Sequence, residues 1–145
     1  MAEAVTLRDV EPADLPIFFE HQRDPVALAM AGMPGRDRQA FDEHWARILA
    51  DDTGRIRTIV ADGEVVGNVL SFERGDRREV GYWIGRHHWG RGVATAALVA
   101  FLGEEPVRPL HAGVAPQNGG SLRVLEKCGF AVCGEEDGLV LLRLG

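Results

Sequence analysis

The spacing of hydrophobic positions divides the chain into segments of two kinds. Alternating or continuous apolar runs predict strands, and apolar positions three and four residues apart predict helices. The predicted strands are 5–10, 55–61, 64–73, 79–84, 109–114, 131–133 and 139–144. The predicted helices begin near residues 14, 37, 92 and 118, which gives the order βααβββαβαββ. This order favours an α/β (α+β) architecture in which helices pack on a single sheet.

Several boundaries carry specific turn or helix signals. Asp62-Gly63 separates two β-runs and is the strongest short-range hairpin signal of the chain. Phe41 and Trp45 lie one helical turn apart and predict the buried face of the second helix. Residues 30–35 contain glycine and proline and are predicted to form a loop.

Length and composition predict one domain, residues 1–145, because 145 residues are too few for two ordinary domains. The hydrophobic share of 46% and the charged share of 26% are typical of globular proteins. No apolar run approaches the ~20 residues that span a bilayer, and the N-terminus lacks a signal segment. We therefore expect a cytoplasmic protein without a membrane partner.

The net charge of −6 argues against a nucleic-acid partner, because binding to phosphates needs a basic face. The same charge fits a cationic or amine acceptor somewhat better. The two cysteines, Cys128 and Cys133, are too few for a disulfide framework or a zinc cage, and we expect both to be reduced.

The junction between the fourth strand and the third helix carries the most informative chemistry. Gly90-Arg91-Gly92 follows the strand and precedes a helix with one apolar face. The residues of that face are Val93, Ala96, Ala97, Ala100 and Phe101. Glycines beside a helix start leave main-chain N–H groups uncovered at the positive end of the helix dipole. The junction therefore predicts a site for a phosphate or pyrophosphate, and hence a phosphorylated cofactor.

The glycines can also serve only as turn and packing devices, and two known phosphate motifs do not match. The chain contains no Gly-x-x-x-x-Gly-Lys-Ser/Thr, and Gly90-Arg91-Gly92 lacks the third glycine of a dinucleotide fingerprint. The single lysine, Lys127, is far from this junction along the chain. A nucleotide triphosphatase or a nicotinamide enzyme is therefore disfavoured.

Three motifs, one of which contains the junction, together resemble those of a known family. Residues 79–85 are Glu-Val-Gly-Tyr-Trp-Ile-Gly, and residues 87–92 are His-His-Trp-Gly-Arg-Gly. Residues 118–130 contain Asn-x-x-Ser followed by Leu-Glu-Lys-Cys-Gly-Phe. In this order and spacing they resemble the GNAT superfamily of acyl-CoA-dependent N-acyltransferases, most of all its ribosomal-protein alanine N-acetyltransferase branch. The resemblance spans nearly the whole chain, and only His87 departs from the Gln or Arg of the family's phosphate motif.

The resemblance implies the GNAT fold, which has a twisted mixed sheet of about seven strands. About four helices cover both faces, and two neighbouring strands are splayed apart at the cofactor site. Acetyl-CoA is the implied co-substrate, with no metal. The implied cofactor-binding residues are Trp83, Ile84, His87, His88, Trp89, Gly90, Arg91, Gly92, Val93, Ala94, Thr95 and Asn118.

Acetyl transfer to an amine requires a base, because an amine with a pKa of about 8–10 is a cation at pH 7. The family's catalytic glutamate often lies on the fourth strand. Glu79 starts that strand here and shares a face with Trp83 by two-residue alternation. The alternatives are a solvated carboxylate at the strand edge, paired with Arg77 or Arg78, or Glu73 as the base.

The leaving thiolate and the oxyanion require hydrogen-bond donors. Ser121 is the candidate for the thiolate, and its alternative role is hydrogen bonding in the first helical turn beside Asn118. Many family members have a tyrosine four residues later, where this chain has Leu125, and the only tyrosine, Tyr82, belongs to the strand. Backbone N–H groups freed by a bulge in the fourth strand are expected to hold the oxyanion.

The expected reaction is acetylation of a primary amine, either a protein N-terminus or a small molecule such as an aminoglycoside or polyamine. From a different class, an acyl-CoA-binding module with little turnover remains open, because the usual acid position is empty. A homodimer is compatible with the resemblance. Residues 20–40 and 134–138, which would shape the acceptor site, carry no interpretable motif. His87 and His88 are neighbours whose side chains point apart, so they do not predict a metal site.

Overall fold

The computed structural model describes residues 4–145, which form a single seven-stranded sheet with helices around it. The strands are β1 (Val5–Arg8), β2 (Arg55–Ala61), β3 (Glu64–Arg74), β4 (Arg77–Ile84), β5 (Leu110–Val114), β6 (Ala131–Glu136) and β7 (Leu139–Leu144). The helices are α1 (Asp14–Gln22), α2 (Pro25–Ala31), α3 (Arg38–Ala50), α4 (Val93–Glu104) and α5 (Gly119–Lys127), and a 3₁₀ turn covers Arg86–His88. The seven predicted strands and their order along the chain are confirmed.

The sheet has the order β1-β2-β3-β4-β5-β7-β6 and is antiparallel except between β4 and β5. Those two parallel strands pair only at Arg78 with Leu110 and at Glu79 with His111. Beyond Glu79 the strands separate, and the edge of β4 that faces β5 has no partner strand. The predicted splay is therefore present, and it opens the centre of the sheet.

The predicted bulge in the fourth strand is wrong. β4 pairs with β3 in continuous register from Arg77 to Ile84, and the shift in the β2–β3 pair lies between Ile59 and Val60. Main-chain groups of β4 are instead left without a partner strand because β5 diverges. The expected result of a bulge, unpaired main-chain groups on β4, is therefore reached by another route. The hairpin signal is confirmed, since Asp62 and Gly63 connect β2 to β3 with φ of 51° and 81°.

Helix α2 is absent from the predicted order and covers part of the predicted loop 30–35. The Asp24 side chain accepts hydrogen bonds from the main-chain N–H groups of Val26 and Ala27, and Pro25 occupies the first turn. Gly32, with φ of 66°, ends the helix. A helix of 7 residues spans only two turns, which is too short for its periodicity to be distinguished from that of a loop.

Two apolar clusters cover opposite faces of the sheet. On one face α4 packs through Val93, Ala97, Leu98 and Phe101, while the predicted face positions Ala96 and Ala100 are exposed. On the other face Phe18, Phe41 and Trp45 from α1 and α3 form a second cluster. The adjacent β3 residues Val69 and Leu70 belong to different clusters, as expected for strand alternation. Across residues 4–145 no helix has the length and apolar character to span a bilayer.

Candidate active site

A cavity of about 690 Å³ lies where β4 and β5 separate. Residues from β4, the following turn, α4, α5 and α2 line it. They are Ala27, Met30, Ala31, Tyr82, Trp83, Ile84, His88, Trp89, Gly90, Gly92, Val93, Ala94, Thr95, Gln117, Asn118, Gly119, Gly120, Ser121, Arg123, Val124 and Lys127. Ten of the twelve residues implied for the cofactor by the sequence are on this wall, which makes the cavity the candidate active site.

The glycine turn presents main-chain donors to this cavity. Gly90 and Gly92 have φ of 77° and 76°, a region that favours glycine, and a Cβ at either would meet nothing within 4 Å. Gly92 is the N-cap of α4 and supplies no side-chain cap. The first-turn N–H groups of residues 93–95 have no partner inside the helix, and those residues line the cavity. The geometry suits an anion such as a pyrophosphate.

Two cations of α5 line the same cavity as the glycine turn. Arg123 and Lys127 lie one helical turn apart on α5 and both line the cavity. Distance along the chain was the reason not to connect Lys127 with the glycine turn, and the structure corrects this. The two side chains add positive charge to the site. The only signal for these two side chains in the sequence is that they lie four residues apart, after the Asn118-x-x-Ser121 motif.

Two of the implied cofactor residues do not line the cavity. His87 is exposed in the 3₁₀ turn, and Arg91 is exposed between the two glycines. His88 lines the cavity, and its Nε2 is 3.7 Å from the Glu64 carboxylate. Within the described range 4–145, no group of three His, Cys, Asp or Glu side chains could hold a metal ion.

The two tryptophans of the motif are held by main-chain carbonyls. The Trp83 indole donates a hydrogen bond of 3.2 Å to the carbonyl of His21 at the end of α1. The Trp89 indole donates one of 2.9 Å to the carbonyl of Ile84. Both bonds fix large side chains at the wall of the cavity.

Ser121 and Tyr82 form a hydroxyl pair inside the cavity. Their oxygens are 2.6 Å apart, and the main-chain N–H of Ser121 donates to the Asn118 side chain at 3.2 Å. Asn118 is thus the N-cap of α5. Burial raises the pKa of Tyr82 to about 12, and the hydrogen bond with Ser121 opposes this rise. The phenol therefore keeps its proton at neutral pH and can donate a hydrogen bond.

Tyr82 is the functional candidate that the sequence did not indicate. Leu125 occupies the position of the family's tyrosine and is buried in the core. Strand alternation places Tyr82 on the face opposite to Glu79, where α5 brings Ser121 against it. Alternation along β4 was the available signal, but the partner comes from a helix 39 residues later.

Glu79 lies apart from this pair. Glu79 is 6% exposed, so it is buried and not solvated, and it does not line the cavity. It accepts a hydrogen bond of 3.0 Å from the Arg77 guanidinium and is 3.5 Å from that of Arg74. The predicted pairing with Arg77 is present, whereas Arg78 instead binds Glu105 and Glu73. The structure brings Ser121, Asn118 and the glycine turn together, and it places Glu79 at the point where β4 and β5 separate.

A second cavity of about 90 Å³ shares the Trp83 side chain with the first. It is formed by α1, the end of α2, the loop after α2, and α3. Its lining residues are Phe19, Gln22, Leu28, Met33, Pro34, Arg36, Phe41, His44 and Trp83. Helix α2 therefore contributes residues to both cavities.

A family model described as an acetyltransferase (GNAT) domain matches residues 4–131. An uncharacterised N-acetyltransferase, p20, from Bacillus licheniformis is 30% identical over 88% of this chain and 79% of its own length. A putative ribosomal N-acetyltransferase, YdaF, from Bacillus subtilis strain 168 is 30% identical over 94% of this chain and 84% of its own length.

The fold is also similar to that of solved structures. A spermidine N-acetyltransferase from Vibrio cholerae, crystallised with CoA and spermine, superposes with a TM-score of 0.80 at 18% identity. The match covers 96% of this chain and 92% of that one. At this identity the similarity concerns the fold.

Proposed function

The chain belongs to the acetyltransferase (GNAT) family, and we propose that it transfers the acetyl group of acetyl-CoA to a primary amine. The observation that carries the proposal is the cavity between β4 and β5, with the glycine turn and the uncapped start of α4 in its wall. Acetyl-CoA supplies a thioester carbonyl as the electrophile. The chain's own residues bind it, orient it and handle the protons.

The residues of the cavity fit the phosphates of that co-substrate. The main-chain N–H groups of residues 92–95 are the proposed donors to the pyrophosphate, because helix starts bind anions without a side chain. Arg123 and Lys127 of α5 line the same cavity and supply cationic partners. Asn118, whose Oδ1 is engaged with Ser121, retains its amide N–H₂ for a ligand carbonyl.

Glu79 is the proposed base for the acceptor amine. It lies at the last paired residue before β5 diverges, on the same face as Trp83. Because its carboxylate is not in the cavity wall, the proton would travel through water in the gap between the strands. The ion pairs with Arg77 and Arg74 hold the carboxylate in one orientation.

The Tyr82–Ser121 pair is proposed as the donor to the sulfur that leaves. When the Tyr82 phenol donates to the Ser121 oxygen, the Ser121 hydroxyl proton is free to point into the cavity. A hydrogen bond from this hydroxyl stabilises negative charge as it develops on the sulfur. A tyrosine at the position of Leu125 is then unnecessary.

The acceptor is a primary amine, either a protein N-terminus, as the name of the Bacillus subtilis relative suggests for that protein, or a small molecule. The direct test measures thiol release from acetyl-CoA with a panel of amines. We expect thiol release that depends on the amine and forms one N-acetyl product per thiol. Release without an amine, or no release with any amine, contradicts the proposal.

One observation favours a second candidate, an acyl-CoA-binding module with little turnover. Glu79 is paired with two arginines and lies outside the cavity wall, so none of the described residues that line the cavity carries a carboxylate. Calorimetry with CoA combined with the thiol assay distinguishes the two functions. Tight CoA binding without thiol release for any amine favours the module.

Replacing Tyr82 with phenylalanine is expected to lower kcat by about threefold to tenfold and to leave the KM for acetyl-CoA nearly unchanged. A neutral hydrogen bond contributes about 0.5–1.5 kcal/mol, and this one acts on the leaving group. The aromatic ring, which packs against the main core, is retained. A change in KM alone, with kcat intact, would contradict a role in the chemical step.

A further inference from the structure

Gly81 lies in the middle of β4, where neither the backbone conformation nor the packing requires a glycine. Its φ is not in the positive region that favours glycine. A Cβ on Gly81 would meet no atom within 4 Å, its chain neighbours aside. A glycine inside a strand weakens the sheet, because it loses much backbone freedom on folding and has no side chain to pack. The presence of glycine at this position therefore needs another explanation.

The other strand glycines of residues 4–145 are in different situations. A Cβ on Gly67 would overlap the main-chain carbonyl oxygen of Trp83, and one on Gly113 would lie 3.2 Å from a side chain of β7. Gly134 also has open space around it, but it belongs to β6, whose six residues are all exposed. Gly81 combines open space with a place on a central strand, beside the candidate active site.

The open space at Gly81 is on the same face of the sheet as Glu79 and Trp83. Val80 and Ile84 are buried in the core on the α4 side of the sheet, so the residues that alternate with them point to the other face. Gly81 lies between Glu79 and Trp83, about 7 Å along the strand from each. Trp83 lines the first cavity and Glu79 does not. The space at Gly81 therefore separates the proposed base from the cavity.

The two neighbouring strands leave this space open. On one side Gly81 pairs with Leu70 of β3, whose side chain does not come within 4 Å of the Cβ position. On the other side β5 has already diverged, because the last β4–β5 pair is Glu79 with His111. A point with no other residue within 4 Å has room for a water molecule, whose hydrogen bonds to oxygen are about 2.8 Å long.

We propose that Gly81 is a positioning residue for acetyl transfer: because it has no side chain, it leaves a passage for water between the first cavity and the Glu79 carboxylate. The inference rests on the proposed function and on Glu79 as its base. In the passage, a water molecule accepts the proton of the ammonium group and donates one of its own protons to Glu79. The amine nitrogen keeps the electron pair, which then forms the bond to the thioester carbonyl carbon.

Replacing Gly81 with valine tests the passage. We expect kcat to fall by at least about tenfold and by no more than the loss in Glu79→Gln, because a positioned base contributes about 10²–10⁴-fold. The KM values for acetyl-CoA and for the amine should be nearly unchanged. The Tm should be unchanged or higher, because valine is favoured in strands. Gly81→Ala should show a smaller loss, and it replaces the valine variant if that variant does not fold.

The double variant Gly81→Val/Glu79→Gln shows whether the passage acts through Glu79. If it does, closing the passage has no further effect once the base is removed. We therefore expect the kcat of the double variant to agree with that of Glu79→Gln within about twofold, whereas independent effects would multiply. The measurement is thiol release from acetyl-CoA at saturating amine.

Gly103→Val is the matched control. Gly103 is exposed on α4, its φ is not in the positive region, and a Cβ there meets nothing within 4 Å. It lines neither cavity. The substitution adds the same three carbons as Gly81→Val, and we expect near-normal kcat and KM.

The outcomes separate the inference from the proposed function. A folded Gly81→Val with near-normal kcat, or with a raised KM alone, overturns the inference and leaves the acetyltransferase activity in place. An equal loss from Gly81→Val with and without Glu79 also overturns it, because the valine would then obstruct a reactant and not the proton. Absence of thiol release by the unaltered protein with every amine overturns the proposed function, and the inference with it.

Discussion

Replacing Glu79 with glutamine is expected to lower kcat/KM by about 10²–10⁴-fold, the usual contribution of a positioned base. Glutamine keeps the shape of the side chain and can still accept a hydrogen bond from Arg77, so CoA affinity should be preserved. The loss should shrink as the pH rises, because a larger fraction of the amine then arrives already deprotonated. The measurement is a pH–rate profile of both proteins at saturating acetyl-CoA.

The matched control is Glu136→Gln. Glu136 accepts hydrogen bonds of 2.8 Å and 2.6 Å from the same Arg77, but its side chain is 44% exposed on β6. Its replacement removes one charge and one ion pair of Arg77 without touching the gap between β4 and β5. We expect near-normal kcat/KM for this variant.

Two results would exclude Glu79 as the base. Near-normal activity of Glu79→Gln at pH 7 would transfer the role to Glu73 or to a water chain along the backbone. A lowered Tm with a rate effect that does not change with pH would indicate that the carboxylate only holds Arg77 and Arg74 in place.

Replacing Gly90 or Gly92 with valine is expected to weaken CoA binding by about 10–100-fold. Valine disfavours φ near +76°, so the turn would leave the conformation that aims its N–H groups at the cavity. Each hydrogen bond to a charged group contributes about 1.5–3 kcal/mol, and 1.4 kcal/mol corresponds to a factor of ten in affinity. Calorimetry with CoA measures the change.

The Gly63→Val variant is the control that distinguishes the effect of backbone strain from the loss of the phosphate site. Gly63 has φ of 81° in the β2–β3 hairpin, and a Cβ there meets nothing within 4 Å, as at Gly90 and Gly92. All three variants should lose about 1–2 kcal/mol of stability from the left-handed conformation. Only the two in the turn should lose CoA affinity. Unchanged affinity in a folded Gly90→Val and Gly92→Val would contradict the assignment of the phosphate site.

Local patterns were sufficient for most of the fold. Strand alternation predicted the seven strands, and Asp62-Gly63 predicted the hairpin with both residues at positive φ. The apolar face of α3 predicted the burial of Phe41 and Trp45. Each of these features depends on residues that are a few positions apart along the chain, so their spacing in the sequence is enough to predict it.

Short or irregular segments were less accessible to the same reasoning. Helix α2 spans two turns and begins from the Asp24 cap, so its apolar spacing does not differ from that of a loop. A bulge depends on how two strands pair, which the sequence of one strand does not show. The structure has no bulge in the β3–β4 pairing, and β5 instead diverges from β4. Both errors concern the walls of the cavity.

The sequence by itself determined the order of most elements along the chain, the glycine turn at the start of α4 and the family to which these belong, because motifs and periodicity are local properties of the chain. Only the tertiary structure decided which residues come together: Tyr82 with Ser121, Lys127 in the lining of the same cavity as the glycine turn, and Glu79 with two arginines. These contacts join residues that are far apart along the chain or on opposite faces of a strand. Their positions follow from how the sheet splays and how α5 and α2 pack on it, which no spacing along the chain encodes.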